Sequence, residues 1–304
     1  MRYRPLGRSG SAVSALTLKI GPDALAGGPS RAQALVFAGL ESGINTFHLT
    51  VADPVLAEAV GEALAQVERK LVQVSISLGR VDARRGGRDF SPEALTGAID
   101  RILHVSGLGW IDLAMLDEPG EDEMPQTALN ALKAQRAAER VRMLGIAGDG
   151  AVMDAYVSTG AFDAMATPYH VNSPWQTRNR IRAALERDMA VLAYDYFPAE
   201  LNTPRKAETL HTPKKGLFGL GQGGRPKSDP LTGAGTFAFL HQTHGWNAED
   251  ICLAFALSDP SIASVLIDAA SAERIETMAA VPERDLPPGL AAQIEMARVR
   301  TAAA

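Results

Sequence analysis

The 304-residue sequence has one cysteine, no long apolar run and no excess of basic residues. A single cysteine excludes an internal disulfide framework and a cysteine-rich metal site. Cys252 stands in an apolar segment, which predicts a buried, unreactive thiol. The 30 Lys and Arg are outnumbered by 35 Asp and Glu, and a net charge of -5 argues against nucleic acid or an anionic membrane as a partner. No apolar run reaches the roughly 18 residues of a membrane span and no secretory leader is seen, so we expect a cytoplasmic protein.

Apolar residues make up 46% of the chain, enough for a sizeable core. Short apolar segments alternate with amphipathic ones along the whole sequence, and most are apolar on both faces, as in the strands of a covered parallel sheet. The predicted strands are Ala15–Ile20, Thr46–Leu49, Val72–Leu78, Trp110–Leu116, Val141–Ile146, Ala164–Thr167, Ala190–Asp195 and Ser264–Ile267.

Helix signals lie between these strands. Ser30 is predicted to cap a helix that ends at Gly43, and Ser91 followed by Pro92 to begin a helix that runs to about Val105. Ser173 and Pro174 are predicted to open another helix. Its apolar face would hold Ile181, Ala184 and Leu185, and two terminal helices are predicted at Ala272–Ala280 and Pro287–Arg300.

Eight strand–helix units without a linker predict one (β/α)8 barrel domain over residues 1–304. A doubly wound sheet is the alternative, but no glycine-rich turn follows the first strand. Residues 199–232, rich in proline, glycine and basic side chains, are predicted to form a long mobile loop after the seventh strand. We expect its basic residues either to close over a bound anionic ligand or to meet an acidic partner; they are Lys206, Lys214, Lys215, Arg225 and Lys227. Gly219, Gly221 and Gly224 match a dinucleotide motif only by spacing, because no strand precedes them.

Several segments in the expected order resemble the aldo-keto reductase superfamily. Residues 4–16 resemble its opening hairpin and first barrel strand, and Gly43–Phe47 the entry to the second strand. Trp110–Leu113, Val141–Ile146 and residues 256–267 resemble the fourth, fifth and eighth strands. The resemblance implies a barrel that carries a nicotinamide cofactor across the C-terminal ends of its strands.

The same resemblance implies that the catalytic side chains are replaced. Members of the family reduce carbonyls with an Asp, a Tyr, a Lys and a His at the mouth of the barrel. In this sequence the four positions hold His48, Asp53, Ser77 and Asp117. Without a positioned proton donor, about 10²–10⁴-fold of rate is lost. We therefore predict no catalytic residue and no carbonyl reductase activity.

Cofactor binding is nevertheless expected from the resemblance. The implied cofactor-binding residues are Lys19, Ile20, Tyr194, Asp195, Tyr196, Phe197, Asp268, Ala269, Ala270, Ser271 and Arg274. Ala270 stands where the family has an arginine for the 2′-phosphate, so NADH or NAD is expected to bind better than NADPH. Arg274, one helical turn further on, offers partial compensation.

A catalytically degenerate branch of the family that regulates bacterial cell division is the narrower resemblance. It implies protein partners, the division protein FtsZ and the histidine kinase DivJ. The C-terminal Ala302-Ala303-Ala304 is interpreted as a tail read by the protease ClpXP.

Two enzymatic alternatives remain open at this point. One is an active oxidoreductase with an atypical proton donor. The other is a hydrolase built on His48, Ser77 and Asp117, which by type are a base, a nucleophile and an acid. His48, Asp53 and Asp117 lack the spacing of a metal motif, so no metal is predicted.

Overall fold

Eight parallel strands close into a barrel in the computed structural model, which describes residues 1–80, 87–201 and 237–302. An antiparallel hairpin, β1 (Tyr3–Pro5) and β2 (Ala12–Ser14), precedes the barrel. The barrel strands are β3 (Leu16–Ile20), β4 (Thr46–Leu49), β5 (Gln73–Leu78), β6 (Ile111–Asp117), β7 (Val141–Ala147), β8 (Ala164–Pro168), β9 (Ala190–Tyr194) and β10 (Ser264–Ile267). Each strand pairs with the next, and β10 pairs with β3. The predicted barrel is confirmed, and all eight predicted strands lie within one residue of the observed bounds.

Nine helices are found in the part of the chain that the structure describes. They are α1 (Pro29–Glu41), α2 (Pro54–Leu64), α3 (Pro92–Ser106), α4 (Gln126–Ala137), α5 (Gly150–Ser158), α6 (Trp175–Leu185), α7 (Ala248–Ser258), α8 (Ala272–Ala280) and α9 (Leu290–Ala302). Within the same ranges, none of the helices has the length and hydrophobicity of a membrane span. The predicted loop at 199–232 begins with a short turn at Ala199–Leu201, and its basic and glycine residues lie outside the described residues.

The observed helix starts confirm one of the predicted N-caps and contradict another. The Ser91 hydroxyl accepts a hydrogen bond from the Ala94 amide at 3.2 Å, as a cap should. The prediction for Ser30 is wrong, because α1 begins at Pro29 and its N-cap is Gly28 with φ 89°. The prediction that Leu185 lies on the apolar face of α6 is also wrong, because 42% of this residue is exposed at the end of the helix.

Alternation along the strands divides the core into two layers. The larger layer lies between the barrel and the helices, where Leu18, Ile20 and Phe47 are fully buried. The smaller layer, which includes Leu113 and Met115, fills the barrel itself. Cys252 belongs to the larger layer, and burial raises the pKa of its thiol to about 12. The predicted burial of this thiol is confirmed.

A buried carboxylate organises the N-terminal end of the barrel. Asp112, 2% exposed, accepts hydrogen bonds from the Arg69 guanidinium at 2.6 Å, the Val74 amide at 2.8 Å and the Trp110 indole at 2.9 Å. Arg142 contacts the same carboxylate at 3.4 Å. The Arg69 and Arg142 guanidinium carbons lie 4.5 and 4.0 Å from the centre of the Trp110 ring. This Asp112 cluster ties β5, β6 and β7 together far from the C-terminal mouth.

Candidate functional site

A cavity of about 1340 Å³ opens at the C-terminal ends of the barrel strands. All four positions of the expected catalytic set line it, namely His48, Asp53, Ser77 and Asp117. Six of the predicted cofactor-binding residues line it as well: Lys19, Tyr194, Asp195, Asp268, Ala269 and Ala270. The C-terminal face of such barrels carries the active sites of enzymes with this fold. The cavity is therefore the candidate functional site.

His48 is held deep in the cavity wall by two serines. Its Nδ1 lies 2.8 Å from the Ser75 hydroxyl and its Nε2 lies 3.1 Å from the Ser77 hydroxyl. The Ser75 hydroxyl is also 3.3 Å from the Phe47 carbonyl oxygen, to which it can only donate. With that donation, Nδ1 carries the ring proton and Ser77 donates to Nε2. Burial, and then the charge of Lys19, lower the pKa of His48 to about 3, so the imidazole is neutral.

This neutral histidine makes the stability of the protein depend on pH. The unfolded chain protonates His48 near its ordinary pKa of 6.5, whereas the folded protein does so only near pH 3. Between these values the unfolded state binds more protons, so the free energy of unfolding should fall as the pH falls. The slope due to His48 approaches about 1.4 kcal/mol per pH unit. Urea unfolding of the wild type and His48→Gln between pH 7 and pH 4 would measure the difference between their slopes.

The exposed His104 on α3 gives the matched control for this prediction. His104→Gln removes a histidine from the surface, so its slope should remain close to that of the wild type. If His48→Gln also kept the wild-type slope, His48 would be shown to protonate in the folded protein as it does in the unfolded chain.

Asp117 and Asp53 are occupied by structural contacts. The Asp117 carboxylate forms an ion pair with Arg80, which follows β5. The Asp53 side chain accepts a hydrogen bond from the Leu56 amide at 2.9 Å and thereby caps α2. The structure thus joins two members of the predicted hydrolase set, Ser77 and His48, and gives the third a different partner. In the described ranges, no three His, Cys, Asp or Glu side chains are grouped to hold a metal ion.

Tyr194 lines the cavity and has a buried hydroxyl group without a hydrogen-bond partner. It ends β9, and its buried Oη is one of two such side-chain atoms in the part of the chain that the structure describes. Burial, followed by the negative charge of Glu118, raises the pKa of this phenol. The next residue, Asp195, has φ 48°, a conformation that costs energy for a residue other than glycine. An unsatisfied polar atom at a strained turn is typical of a ligand-binding position.

A buried arginine fixes the loop between β7 and α5. Arg180 of α6 is 3% exposed and donates to Asp154 at 2.6 Å and to the Gly150 carbonyl at 3.1 Å. It also pairs with Asp149 and donates to the Thr167 hydroxyl at 3.1 Å. This Arg180 cluster stands directly behind β7 and β8, whose Ala147 and Ala166 line the cavity.

Five predicted cofactor-binding residues do not line the cavity. Ile20 is fully buried, because alternation along β3 turns it toward the helices while Lys19 faces the mouth. Ser271 caps α8, and its hydroxyl accepts from the Arg274 amide at 3.3 Å. Phe197 packs against the core, and the Tyr196 hydroxyl donates to Glu249 at 2.8 Å.

Glu249 is a residue that the sequence analysis did not single out. Its carboxylate also forms an ion pair with Arg274. No local motif marks Glu249, because its partners are separated from it in the sequence by the loop after β9 and by β10.

Comparison with known proteins agrees with this architecture. The model of the Aldo/keto reductase family matches residues 30–298. Among solved structures, the chain is similar to the holo form of aldo-keto reductase AKR11C1 from Bacillus halodurans, with 19% sequence identity and a TM-score of 0.75. That match covers 98% of this chain and 96% of the other. Such a low identity shows the fold alone. No curated protein matches the chain.

Proposed function

Because the chain belongs to the aldo/keto reductase family, we propose that it binds a nicotinamide dinucleotide at the barrel mouth and acts through protein partners without reducing carbonyl compounds. The observation that carries this proposal is the state of the four positions where the family holds its catalytic side chains. Each of them is engaged in a contact of its own, with Ser77 being one of the two serines at His48. His48 is neutral between two serines, Asp53 caps a helix and Asp117 is paired with Arg80.

The cavity residues fit a nicotinamide dinucleotide. Tyr194 offers its aromatic ring, and Lys19, 23% exposed, offers a cation. Ala269 and Ala270 bring the N-terminal end of α8 to the cavity wall, where the helix dipole favours a phosphate. When bound, the nicotinamide supplies a group that can carry a hydride. Tyr194 and Lys19 would position it.

NADH or NAD is the proposed cofactor in preference to NADPH. The methyl side chain of Ala270 cannot pair with a 2′-phosphate, and Arg274 already forms an ion pair with Glu249. Lys19 is paired with Asp268 at 2.8 Å. A phosphate added to the adenosine ribose would therefore compete with carboxylates for each of these cations.

The regulatory part of the proposal rests on resemblance to the cell-division regulator KidO. This resemblance proposes FtsZ and DivJ as partners. It also proposes that ClpXP recognises the Ala302–Ala304 tail, whose last two residues lie outside the described residues. Trp175 at the start of α6, 67% exposed, is a surface aromatic of the kind that anchors protein interfaces.

An active oxidoreductase is the second candidate, and the unbonded Tyr194 hydroxyl is the observation that favours it. If Tyr194 were an atypical proton donor, reduction would be measurable and Tyr194→Phe would abolish it. The raised pKa of Tyr194 keeps the phenol protonated at neutral pH, which donation requires.

We expect cofactor binding without turnover. NADH and NADPH titrations, followed by protein fluorescence, should give saturable binding that is tighter for NADH. A screen of aldehydes and ketones with either cofactor should give turnover below about 0.1 s⁻¹, far under the usual range of enzymes. Faster reduction that is lost in Tyr194→Phe would instead establish the second candidate. Cleavage of an activated ester without cofactor, lost in Ser77→Ala, would favour hydrolysis.

A further inference from the structure

A second cavity, of about 110 Å³, lies at the N-terminal end of the barrel, on the face opposite to the mouth. Ala15, which directly precedes β3, and Leu257, at the end of α7, form part of its wall. Among the described residues, none lines both this cavity and the one at the mouth. Its charged lining consists of Arg2, Arg4, Arg284 and Asp285, and we call it the basic cavity.

Arg4 is held in the basic cavity by main-chain oxygens. Its guanidinium donates to the Asp259 carbonyl at 3.2 Å, to the Ile262 carbonyl at 2.5 Å and to the Leu257 carbonyl. Because these partners are main-chain carbonyls, they orient Arg4 without cancelling its charge. Burial, and then the charge of Arg2, lower the pKa of Arg4, although Asp259 acts in the opposite direction. Arg2 and Arg4 therefore lie close enough for their charges to repel each other.

Arg284 is held rigidly on the other side of the basic cavity. Its guanidinium carbon lies 3.7 Å from the centre of the Trp246 ring, and it donates to the Gly245 carbonyl at 2.6 Å. Its ion pair with Asp250 is longer, at 3.5 Å. A planar guanidinium that is already fixed by stacking loses less side-chain entropy when it binds a ligand.

The lining of the basic cavity has an excess of positive charge. Its one carboxylate, Asp285, is 92% exposed and contacts Arg2, 53% exposed, at 3.4 Å. Three arginines against one aspartate leave two positive charges in excess within the lining, while Asp250 and Asp259 act from outside it. The rest of the wall is largely apolar, which strengthens the attraction of an anion.

We propose that the basic cavity binds a phosphate dianion, either inorganic phosphate or the terminal phosphate of a phosphomonoester. Guanidinium groups donate paired hydrogen bonds to phosphate oxygens, and a dianion matches the excess charge of the lining, whereas a carboxylate does not. The cavity is far smaller than the roughly 300–1,000 Å³ of sites for drug-sized ligands, so only the phosphate group itself enters it. The site is separate from the mouth, so the proposal does not depend on the binding of a dinucleotide.

Calorimetric titration of the full chain with inorganic phosphate, at pH 8 and constant ionic strength, is the central test. We expect one saturable site. Arg2→Gln and Arg284→Gln should each raise its dissociation constant by about ten-fold or more, because each removes charge-assisted hydrogen bonds. Asp285→Asn should act in the opposite direction and lower the dissociation constant by about two- to five-fold, since it frees Arg2 from an exposed ion pair. Arg4 is left intact because its bonds to three carbonyls hold the hairpin on the barrel.

The chain offers a matched control for each charge change. Arg8 lies in the turn of the same hairpin and is 80% exposed outside the basic cavity, and it pairs with Asp188. Arg8→Gln and Asp188→Asn repeat the two charge changes away from the lining. Each should alter the dissociation constant by no more than about two-fold, because exposed charges are strongly screened.

A capped phosphoserine peptide is the second probe, and the same peptide with an unmodified serine is its control. Tighter binding of the phosphopeptide than of inorganic phosphate identifies a phosphomonoester as the ligand, and the reverse order identifies free phosphate. The proposal is overturned if neither probe gives a saturable site. It is also overturned if Arg2→Gln and Arg284→Gln, shown by circular dichroism to be folded, bind phosphate as the wild type does. Dinucleotide titrations of the same variants should match the wild type, so the outcome is independent of the proposed function.

Discussion

Replacing both Asp149 and Asp154 with alanine is expected to lower the free energy of unfolding by about 3–5 kcal/mol, because it leaves the buried Arg180 without a counter-charge. The Arg180 side chain is 1% exposed, whereas the two aspartates are about half exposed. The aspartates can therefore be replaced without opening a large cavity. Neither substitution removes a helix cap, since the Asp149 side chain makes no capping hydrogen bond and Asp154 lies within α5.

A third substitution separates charge from packing. If Arg180→Met is added to the double alanine variant, no charge remains to be buried, and most of the lost stability should return. The control is Asp188→Asn, which deprives the 80% exposed Arg8 of its carboxylate. It should cost less than about 1 kcal/mol, because water solvates an exposed guanidinium. Urea denaturation of the four proteins is the measurement. A double variant as stable as the wild type would mean that water reaches Arg180.

Asp112→Ala is expected to have a similarly large effect at the other end of the barrel. It leaves the Val74 amide and the Trp110 indole without their acceptor and removes the carboxylate between Arg69 and Arg142. Loss of a buried carboxylate with cationic partners costs about 3–5 kcal/mol. Because the Asp112 cluster is far from the mouth, dinucleotide binding by the folded fraction should be unchanged. Thermal or urea unfolding, together with a titration at low temperature, would test both parts.

Asp100→Ala supplies the control for this second prediction. Asp100 pairs with Arg140 at 2.5 Å, but its side chain is 56% exposed. The loss should stay within about 1 kcal/mol, as for other surface ion pairs. Equal destabilisation by Asp100→Ala and Asp112→Ala would show that burial is not the source of the effect.

The strands of this barrel could be predicted because each is a short apolar run with a sharp polar boundary. β4 and β10 were predicted to the residue, and Ser91 was identified as a cap from local sequence alone. Ser30 failed for a local reason as well: Pro29 already fits the first helical position, and Gly28 adopts the conformation that the turn before it requires. Such competition between neighbouring signals is decided by backbone geometry.

The site was predictable in position but not in its pairings. Strand ends of a parallel barrel converge, so the sequence alone predicts that His48, Ser77 and Asp117 lie at one mouth. The partners that set their chemistry are non-local. Arg80, which follows β5, forms an ion pair with Asp117. Glu249, which lies on a helix, forms an ion pair with Arg274. Side-chain pairing between distant segments has no signature in a single sequence.

The seam between β3 and β10 has a consequence for how the protein is made. β3 ends at Ile20, yet the strand that completes its pairing begins only at Ser264, where the Thr17 and Ser264 hydroxyls meet at 2.7 Å. During synthesis at roughly 5–20 residues per second, the first barrel strand waits on the order of 10–50 s for its second neighbour. For that time it presents an unpaired apolar edge of the kind that aggregates. The ribosome-bound chain is therefore the stage at which this edge is open to pairing with another chain.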